Sequence, residues 1–370
     1  MIKVLHVLTD KNVGGAGRWL LNELSAFDRE KLIIKVILPE GSALVPRVRA
    51  NGIEVIALSG MAESSWDKAS LGALRRVMEH ERPDVVHTHA SLTARVAARL
   101  AKVPVLVMTK HCRQEPAGIA GRIANGIVNR TLSDCVIAVS DAVGRQLVAA
   151  GTPAQRVVTV YNGIAVQDIS SPDVTAALRK TLAVSPDEPI IGCAARLEAV
   201  KGVDRFIEMA KLLVRRGCTA RFIVCGTGSE EARLHQMAEE LGERIIFTGF
   251  VDKIEQVLAA MDVLVIPSRH EALCLTGIEA LAMQTPVCAF DVDGVGEVVR
   301  DGETGLLVRD GDTDALAGAA ERLLADDALR KRLGTAGREL VLREFDAQTM
   351  ARKLETLYAS LLEKKKGRGV

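Results

Sequence analysis

The run Asp262-Val263-Leu264-Val265-Ile266-Pro267 passes through Ser268-Arg269-His270-Glu271-Ala272-Leu273-Cys274 into Leu275-Thr276-Gly277-Ile278-Glu279-Ala280-Leu281-Ala282. Val263 to Ile266 are all aliphatic, with no polar alternation. A strand of that kind needs cover on both faces, as inside a parallel sheet. After the loop, Ile278, Leu281 and Ala282 recur three and four apart, the spacing of one helix face. Strand, loop and helix in that order make half of a βαβ unit, and the alternation extends in both directions.

Strand-like runs precede it at Lys3–Thr9, Ile33–Pro39, Glu54–Leu58, Asp84–His89, Pro104–Lys110, Cys135–Ser140 and Arg156–Tyr161. A second series comprises Pro189–Arg196, Ala220–Cys225, Arg244–Thr248, Asp262–Pro267, Val287–Phe290 and Gly305–Val308. Amphipathic stretches such as Trp19–Ala26, Leu71–His80, Asp204–Arg216, Glu230–Leu241 and Gly277–Met283 separate them. Such alternation predicts an α/β protein with parallel sheets. The series break in Asn162–Pro189, which holds Pro172, Pro186 and Pro189 and one short helical pattern, Asp173–Ala183. Two Rossmann-like doubly wound domains are therefore expected, with limits at 1–170 and 171–345. Ala315–Ala325, Ala328–Leu342 and Thr349–Leu362 read as helices, and Lys364 to Arg368 as a frayed, solvated tail.

A length of 370 residues fits two domains of roughly 150 residues or more each. Hydrophobic residues at 48% and charged residues at 26% exclude disorder as the main state. The balance of 48 Lys+Arg against 47 Asp+Glu, with 3% aromatics, argues against nucleic acid as a partner. No apolar stretch reaches the roughly 18 residues of a spanning helix. Seven cysteines without a CxxC pair read as reduced core thiols of a cytoplasmic protein, with no structural zinc.

Four strand-to-helix loops carry residue types suited to an anionic ligand. Asp10 to Gly17 contains Gly14 and Gly15, which would let backbone approach a ligand at a helix N-terminus. Val86-His87-Thr88-His89 ends a strand; His87 and His89 share one face, and His89 should emerge at the tip, with His111 in a like place after the next strand. Arg196 and Lys201-Gly202 follow the first strand of the second series, where a planar fork and a point charge can clamp a diphosphate. Gly226-Thr227-Gly228 follows the next strand and would offer free backbone N–H groups. Glu271 and Glu279 straddle the loop and helix quoted first; the amides of Leu273, Cys274 and Leu275 would face phosphate at the helix N-terminus.

In this order and spacing, these pieces resemble the retaining GT-B glycosyltransferases of family 4. Ala138-Val139-Ser140, Tyr161-Asn162-Gly163-Ile164, Gly249-Phe250 and Asp301-Gly302-Glu303-Thr304-Gly305-Leu306-Leu307-Val308 also fit, so the resemblance spans nearly the whole chain. It implies two domains facing across a cleft, an N-terminal one for the acceptor and a C-terminal one for the nucleotide sugar. A final segment, 346–370, would cross back as helix and basic tail. It implies that Gly15 approaches the donor phosphates, His89 reaches the transferred sugar, Arg196 and Lys201 neutralise the leaving diphosphate, Glu271 contacts the donor sugar and Glu279 binds the ribose. The donor would be a UDP- or GDP-linked sugar, with no metal and no cofactor. Where the family usually has glycine, an aromatic and glycine after the first glutamate, this chain has Ala272, Leu273 and Cys274.

Asp291-Val292-Asp293 spells the metal-binding DxD of the other glycosyltransferase fold, but the resemblance places it in a loop without metal. Ile119, Ile123 and Ile127, with Arg113, Arg122 and Arg130 nearby, are expected to pack on the sheet; the alternative is a helix resting on an anionic membrane near a glycan or lipid-linked acceptor. Two rival functions share the architecture: a sugar-nucleotide epimerase or hydrolase, and a non-catalytic nucleotide-sugar-binding protein.

Overall fold

A computed structural model of the chain describes residues 1–169 and 171–367. The chain forms two compact units, one of Met1–Ala165 with Phe345–Val370 and one of Val166–Glu344.

The first unit is a parallel sheet of seven strands: β1 (Ile2–Val7), β2 (Leu32–Pro39), β3 (Glu54–Leu58), β4 (Val85–His89), β5 (Val105–Lys110), β6 (Cys135–Ala138) and β7 (Val157–Thr159), in the order β3-β2-β1-β4-β5-β6-β7. The aliphatic runs are explained by two cores, one on each face. Val4, Val36, Val85, Val105 and Ile137 pack toward Trp19, Leu20 and Leu24, while Leu5, Val7, Ile37, Val86 and Leu106 pack toward Leu74, Met78 and Ala97. Each such aliphatic side chain contributes about 1.5–3 kcal/mol when fully removed from water.

The helix Ala347–Lys366 belongs to this unit: Met350, Ala351, Leu354 and Tyr358 complete the core around Trp19. Lys364 to Lys366 are its last turn rather than a frayed tail, and Lys365 pairs with Asp134 at 2.8 Å. Cations there also meet the negative end of the helix dipole. Arg368 lies outside the described residues. Where the chain re-enters the unit, Ile164 N–H donates to Phe345 O (2.8 Å) and Ala347 N–H to Ile164 O (2.9 Å). A Cβ on Gly163 would stand 2.7 Å from the Ala347 Cα, so only glycine fits beside this crossing.

The second unit has β8 (Ile190–Ala194), β9 (Arg221–Cys225), β10 (Ile245–Gly249), β11 (Val263–Ile266), β12 (Val287–Phe290) and β13 (Gly305–Val308), all parallel, in the order β10-β9-β8-β11-β12-β13. The helix Val203–Arg215 buries Phe206, Ile207, Ala210 and Leu213 on one face. Five of the seven cysteines are buried and none is in a disulfide; burial pushes the Cys135 thiol up to about 12.

Strand order reverses between β1 and β4 in the first unit and between β8 and β11 in the second. Connections leave in opposite directions there, so the loops part and open a crevice at the carboxyl ends of the strands. The loop of Gly14 and Gly15 and the end of β4 at His89 meet at one such point. Those of Arg196 to Lys201 and of Ser268 to Cys274 meet at the other.

The helix Ile119–Leu132 departs from expectation. Ile119, Ile123 and Ile127 are 80%, 60% and 59% exposed and do not pack on the sheet. Arg122 and Arg130 are exposed on the same helix, which carries no acidic residue.

Candidate active site

In the second unit the loops after β8, β9 and β11 are tied together. Leu197 N–H donates to Thr227 O (2.9 Å), Glu230 N–H to Leu197 O (2.9 Å) and Arg269 N–H to Val200 O (2.9 Å). These contacts, more than a ligand, account for the glycines. A Cβ on Gly226 would lie 1.9 Å from Ala195 O, one on Gly228 2.4 Å from Leu197 O, and one on Gly202 2.1 Å from Pro267 O. Gly226 and Gly202 also have positive φ, of 133° and 67°. The Gly226 N–H is not free as expected: it donates to Gly249 O at 2.8 Å.

Arg196 is exposed, and its guanidinium has no partner among the described residues. Lys201 and Glu271 are brought together, Nζ to Oε1 at 2.7 Å, and Ser268 Oγ donates to the same oxygen at 2.8 Å. The two residues expected to contact separate parts of a ligand thus also hold each other. A buried carboxylate needs such partners, and the helix after it starts at Leu275 with Cys274 as its N-cap. Leu273 and Cys274 are buried, and their N–H groups donate to no described residue; Glu279 is half-buried in the first turns of the helix. Arg269 grips Asp204 through both guanidinium nitrogens (2.8 and 2.7 Å), which holds that carboxyl below its ordinary range and braces the loop. Asp293, of the DxD sequence, meets His270 Nδ1 at 3.0 Å.

In the first unit, Gly14 is the N-cap of the helix Gly15–Ala26, four residues earlier than the apolar pattern begins. A Cβ on Gly14 or Gly15 would meet nothing, whereas one on Gly17 would strike Leu44. Gly14 and Gly15 therefore have no packing reason to be glycine, and both are exposed at the start of this helix.

His89 ends β4 as expected but is buried, and both its ring nitrogens are engaged. His89 Nε2 lies 3.2 Å from His6 Nδ1, and His89 Nδ1 lies 2.7 Å from His111 Nε2. His87 is held by Tyr358 and Thr109, each at 2.6 Å. The indole of Trp19 meets the rings of His87, His89 and His111 edge-on. Beyond His6 lies Glu23, wholly buried, with Oε2 3.6 Å from His6 Nε2 and Oε1 accepting from Tyr358 at 3.4 Å. Burial lowers His6 and His111 to about 3 and His87 and His89 well below the usual imidazole range, so all four are neutral. Burial pushes Glu23 up to about 8, Tyr358 opposing and Glu355 adding to the shift. The ring nitrogens of His6, His87 and His89 come within 4.8 Å of one another. With both nitrogens of His87 taken at 2.6 Å, the cluster is a hydrogen-bond network rather than a ligand set.

Sequence reasoning singled out His87, His89 and His111 but missed His6, Glu23 and Tyr358. The usable signal was His6 in the first aliphatic run, which the β1–β4 register places beside His87.

Residues 13–168 match the family described as Glycosyltransferase Family 4, and residues 174–340 match Glycosyl transferases group 1. The chain is 30% identical over 357 residues to 2-deoxystreptamine N-acetyl-D-glucosaminyltransferase of Streptomyces fradiae, covering 89% of this chain and 81% of that protein. It is 27% identical over 326 residues to N-acetyl-alpha-D-glucosaminyl L-malate synthase of Bacillus anthracis, covering 86% and 85%. In fold it is similar to HepE of Anabaena, crystallised in complex with UDP-glucose, at a TM-score of 0.86, 21% identity, and coverage of 97% of this chain and 100% of that one. Two doubly wound parallel units and matches along both of them lead to one conclusion: the chain is a glycosyltransferase of the group 1, family 4 type, with the GT-B fold.

Proposed function

We propose that the chain transfers a sugar from a nucleoside-diphosphate sugar to a hydroxyl of a glycan or lipid-linked acceptor, with retention of anomeric configuration and without a metal or cofactor. The observation that carries this reading is the β8–β11 crevice. There an unpartnered guanidinium (Arg196) and a carboxylate-anchored ammonium (Lys201) share one edge with the N-terminus of the helix bearing Glu279. Breaking the bond from the anomeric carbon to phosphate builds charge on the departing diphosphate. Cations fixed before the reaction stabilise that charge at no cost in reorganisation. The acceptor oxygen forms the new bond on the face the leaving group quits, and its proton passes to the diphosphate oxygen. Glu279 accepts hydrogen bonds from ribose hydroxyls, and Glu271, held by Lys201 and Ser268, orients the sugar. The open space at Gly14 and Gly15 suits close approach to phosphate. Uridine is the favoured base, because the structural neighbour HepE carries UDP-glucose. Glycan acceptors agree with the 25% identity, over 82% of this chain and 83% of that protein, to CapM of Staphylococcus aureus, a capsular polysaccharide biosynthesis glycosyltransferase.

A lipid-linked acceptor further agrees with the helix Ile119–Leu132. Three exposed isoleucines flanked by arginines and no acid suit the interface of an anionic membrane. No helix among the described residues is long and apolar enough to cross a membrane.

The reading is tested by screening UDP- and GDP-sugars for thermal stabilisation, then following transfer in EDTA and assigning the product anomer by NMR. Transfer with retention in chelator is expected; an inverted product or a rate restored only by added divalent ion overturns the corresponding part.

A further inference from the structure

The chain between β3 and the helix Leu71–Glu81, residues 59–70, runs as a strap along the carboxyl edge of the first sheet. It leaves β3, yet its hydrogen bonds fall on the loops that follow β1 and β4, the two strands between which the strand order reverses. Lys11 N–H donates to Glu63 Oε1 at 2.6 Å. Ser65 O accepts from Leu92 N–H (2.8 Å) and Thr93 N–H (3.0 Å), Ser65 Oγ donates to Ala90 O (2.8 Å), and Asp67 N–H donates to Thr93 Oγ1 (2.6 Å). Met61 and Ser70, toward its two ends, are buried. The strap therefore crosses a switch point of the kind where open α/β sheets bind ligands, and it is pinned at both ends and in the middle. Ala90, held by Ser65 straight after His89, has a φ of 65°, a left-handed value that a residue with a Cβ keeps only where its surroundings impose it.

Between the anchors Ser65 and Asp67 stands Trp66. Its indole is 51% exposed, whereas Trp19, the other tryptophan of the chain, is wholly buried. A lone exposed apolar residue needs no explanation. A large ring whose backbone is pinned on both sides is different, because little order is left to impose when a ligand meets it. Around it the strap is polar: Glu63, Ser64 and Ser65 are exposed, Asp67 is half-buried, and Lys68 is the one cation. A pyranose matches both features. Its C–H face packs against an aromatic ring, and its hydroxyls donate to carboxylate and hydroxyl oxygens. An anionic membrane matches less well, since Glu63 and Asp67 would face its phosphates.

We propose that Trp66 is a stacking platform for a pyranose ring of the acceptor, carried over the β1–β4 crevice on the strap 59–70, with Ser65 as the positioning residue that fixes it there. The acceptor is thereby one that presents a sugar ring at or next to the hydroxyl receiving the new bond. The inference rests on the transfer reading and leaves the donor to the second unit.

Two measurements keep the platform and the transfer reading apart. With UDP present, tryptophan emission is titrated with methyl α-D-glucopyranoside, cellobiose and N,N′-diacetylchitobiose, and with acyclic sorbitol as the control. A saturable shift with at least one pyranoside, absent in Trp66→Ala and not produced by sorbitol, is expected whether or not any sugar is transferred. No shift with any of the three, an equal shift with sorbitol, or a shift given only by phosphatidylglycerol vesicles overturns the platform. In transfer assays with a pyranoside acceptor, Trp66→Ala should raise acceptor KM about tenfold or more while kcat and donor KM stay within about twofold. Trp66→Phe should recover most of that loss, and Ser65→Ala, which keeps the ring but frees it from Ala90, should raise acceptor KM about threefold. Equal acceptor KM in wild type and Trp66→Ala overturns the assigned role. Absence of transfer from every donor overturns the transfer reading instead and leaves the emission result to decide the platform.

Discussion

Replacing Lys201 by methionine keeps the volume of the side chain and removes its charge. At 2.7 Å and an effective dielectric of about 20, the attraction to Glu271 is about 6 kcal/mol before desolvation is subtracted. Breaking a fully buried pair costs about 3–5 kcal/mol. Lys201 keeps 21% of its side chain in water and Ser268 still donates to Glu271, which together reduce the expected loss to about 2 kcal/mol. For a unit of this size that lowers Tm by about 4–8 °C. Losing a preorganised charge on the leaving diphosphate should independently lower kcat about 10²- to 10³-fold. The double variant Lys201→Met/Glu271→Gln distinguishes the two effects. With the carboxylate neutralised, calorimetry should show at least half of the lost Tm restored. Transfer, followed by release of nucleoside diphosphate, should stay low. Recovery of stability and rate together would refute the reasoning, because Lys201 would then serve only to hold Glu271.

The glycines divide by cause: Gly228→Ala should destabilise by about 2 kcal/mol or more, since its Cβ would stand 2.4 Å from a backbone carbonyl, while Gly14→Ala should leave Tm within about a degree and weaken nucleotide-sugar binding by calorimetry. Stability should peak near pH 6.5. Between about 3 and 6.5 the unfolded chain protonates His6 and His111 while the fold keeps them neutral, so stability rises with pH. From 4.5 to about 8 the fold retains a proton on Glu23 that the unfolded chain has lost, so above 6.5 stability falls by up to roughly 1.4 kcal/mol per pH unit. Glu23→Gln should flatten that descending limb in denaturant melts; an unchanged limb would disprove the protonated Glu23. Ile123→Asp should reduce co-sedimentation with phosphatidylglycerol vesicles by about tenfold while leaving phosphatidylcholine binding at background, and equal sedimentation of both proteins would dispose of the membrane face.

All thirteen strands among the described residues were legible as short apolar runs, most plainly the central ones such as β5, β11 and β12, which are covered on both faces and so cannot alternate. The ends ran one residue long where Pro104, Pro189 or Pro267 adjoined them, and two residues long at the carboxyl ends of β1, β6 and β7, where the chain stays extended past the last ladder bond. The helix Leu44–Ala50 was not legible: Pro46 in its first turn reads as a breaker, although a first turn has no donor to lose there. Within the site, the motif loops were legible and their partners were not. Nothing local ties Lys201 to Glu271 seventy positions away, and Glu23 on an amphipathic helix looks solvated until the final helix covers it. The same holds for the glycines after β8 and β9, whose composition suggests phosphate and whose first duty is to let neighbouring loops touch.

The return of the last helix to the first sheet inverts the order of maturation on the ribosome. Domains made early ordinarily fold early. Here Tyr358 and Leu354 close a core whose other side begins at Val4, so the first-made unit waits until the helix Ala347–Lys366 has been synthesised. The middle of the chain, whose own core needs neither end, can become native while the opening segment is still incomplete. A stop codon after Glu344 should therefore yield a protease-resistant fragment from the middle of the chain and lose the start, the reverse of what truncation from the far end usually does.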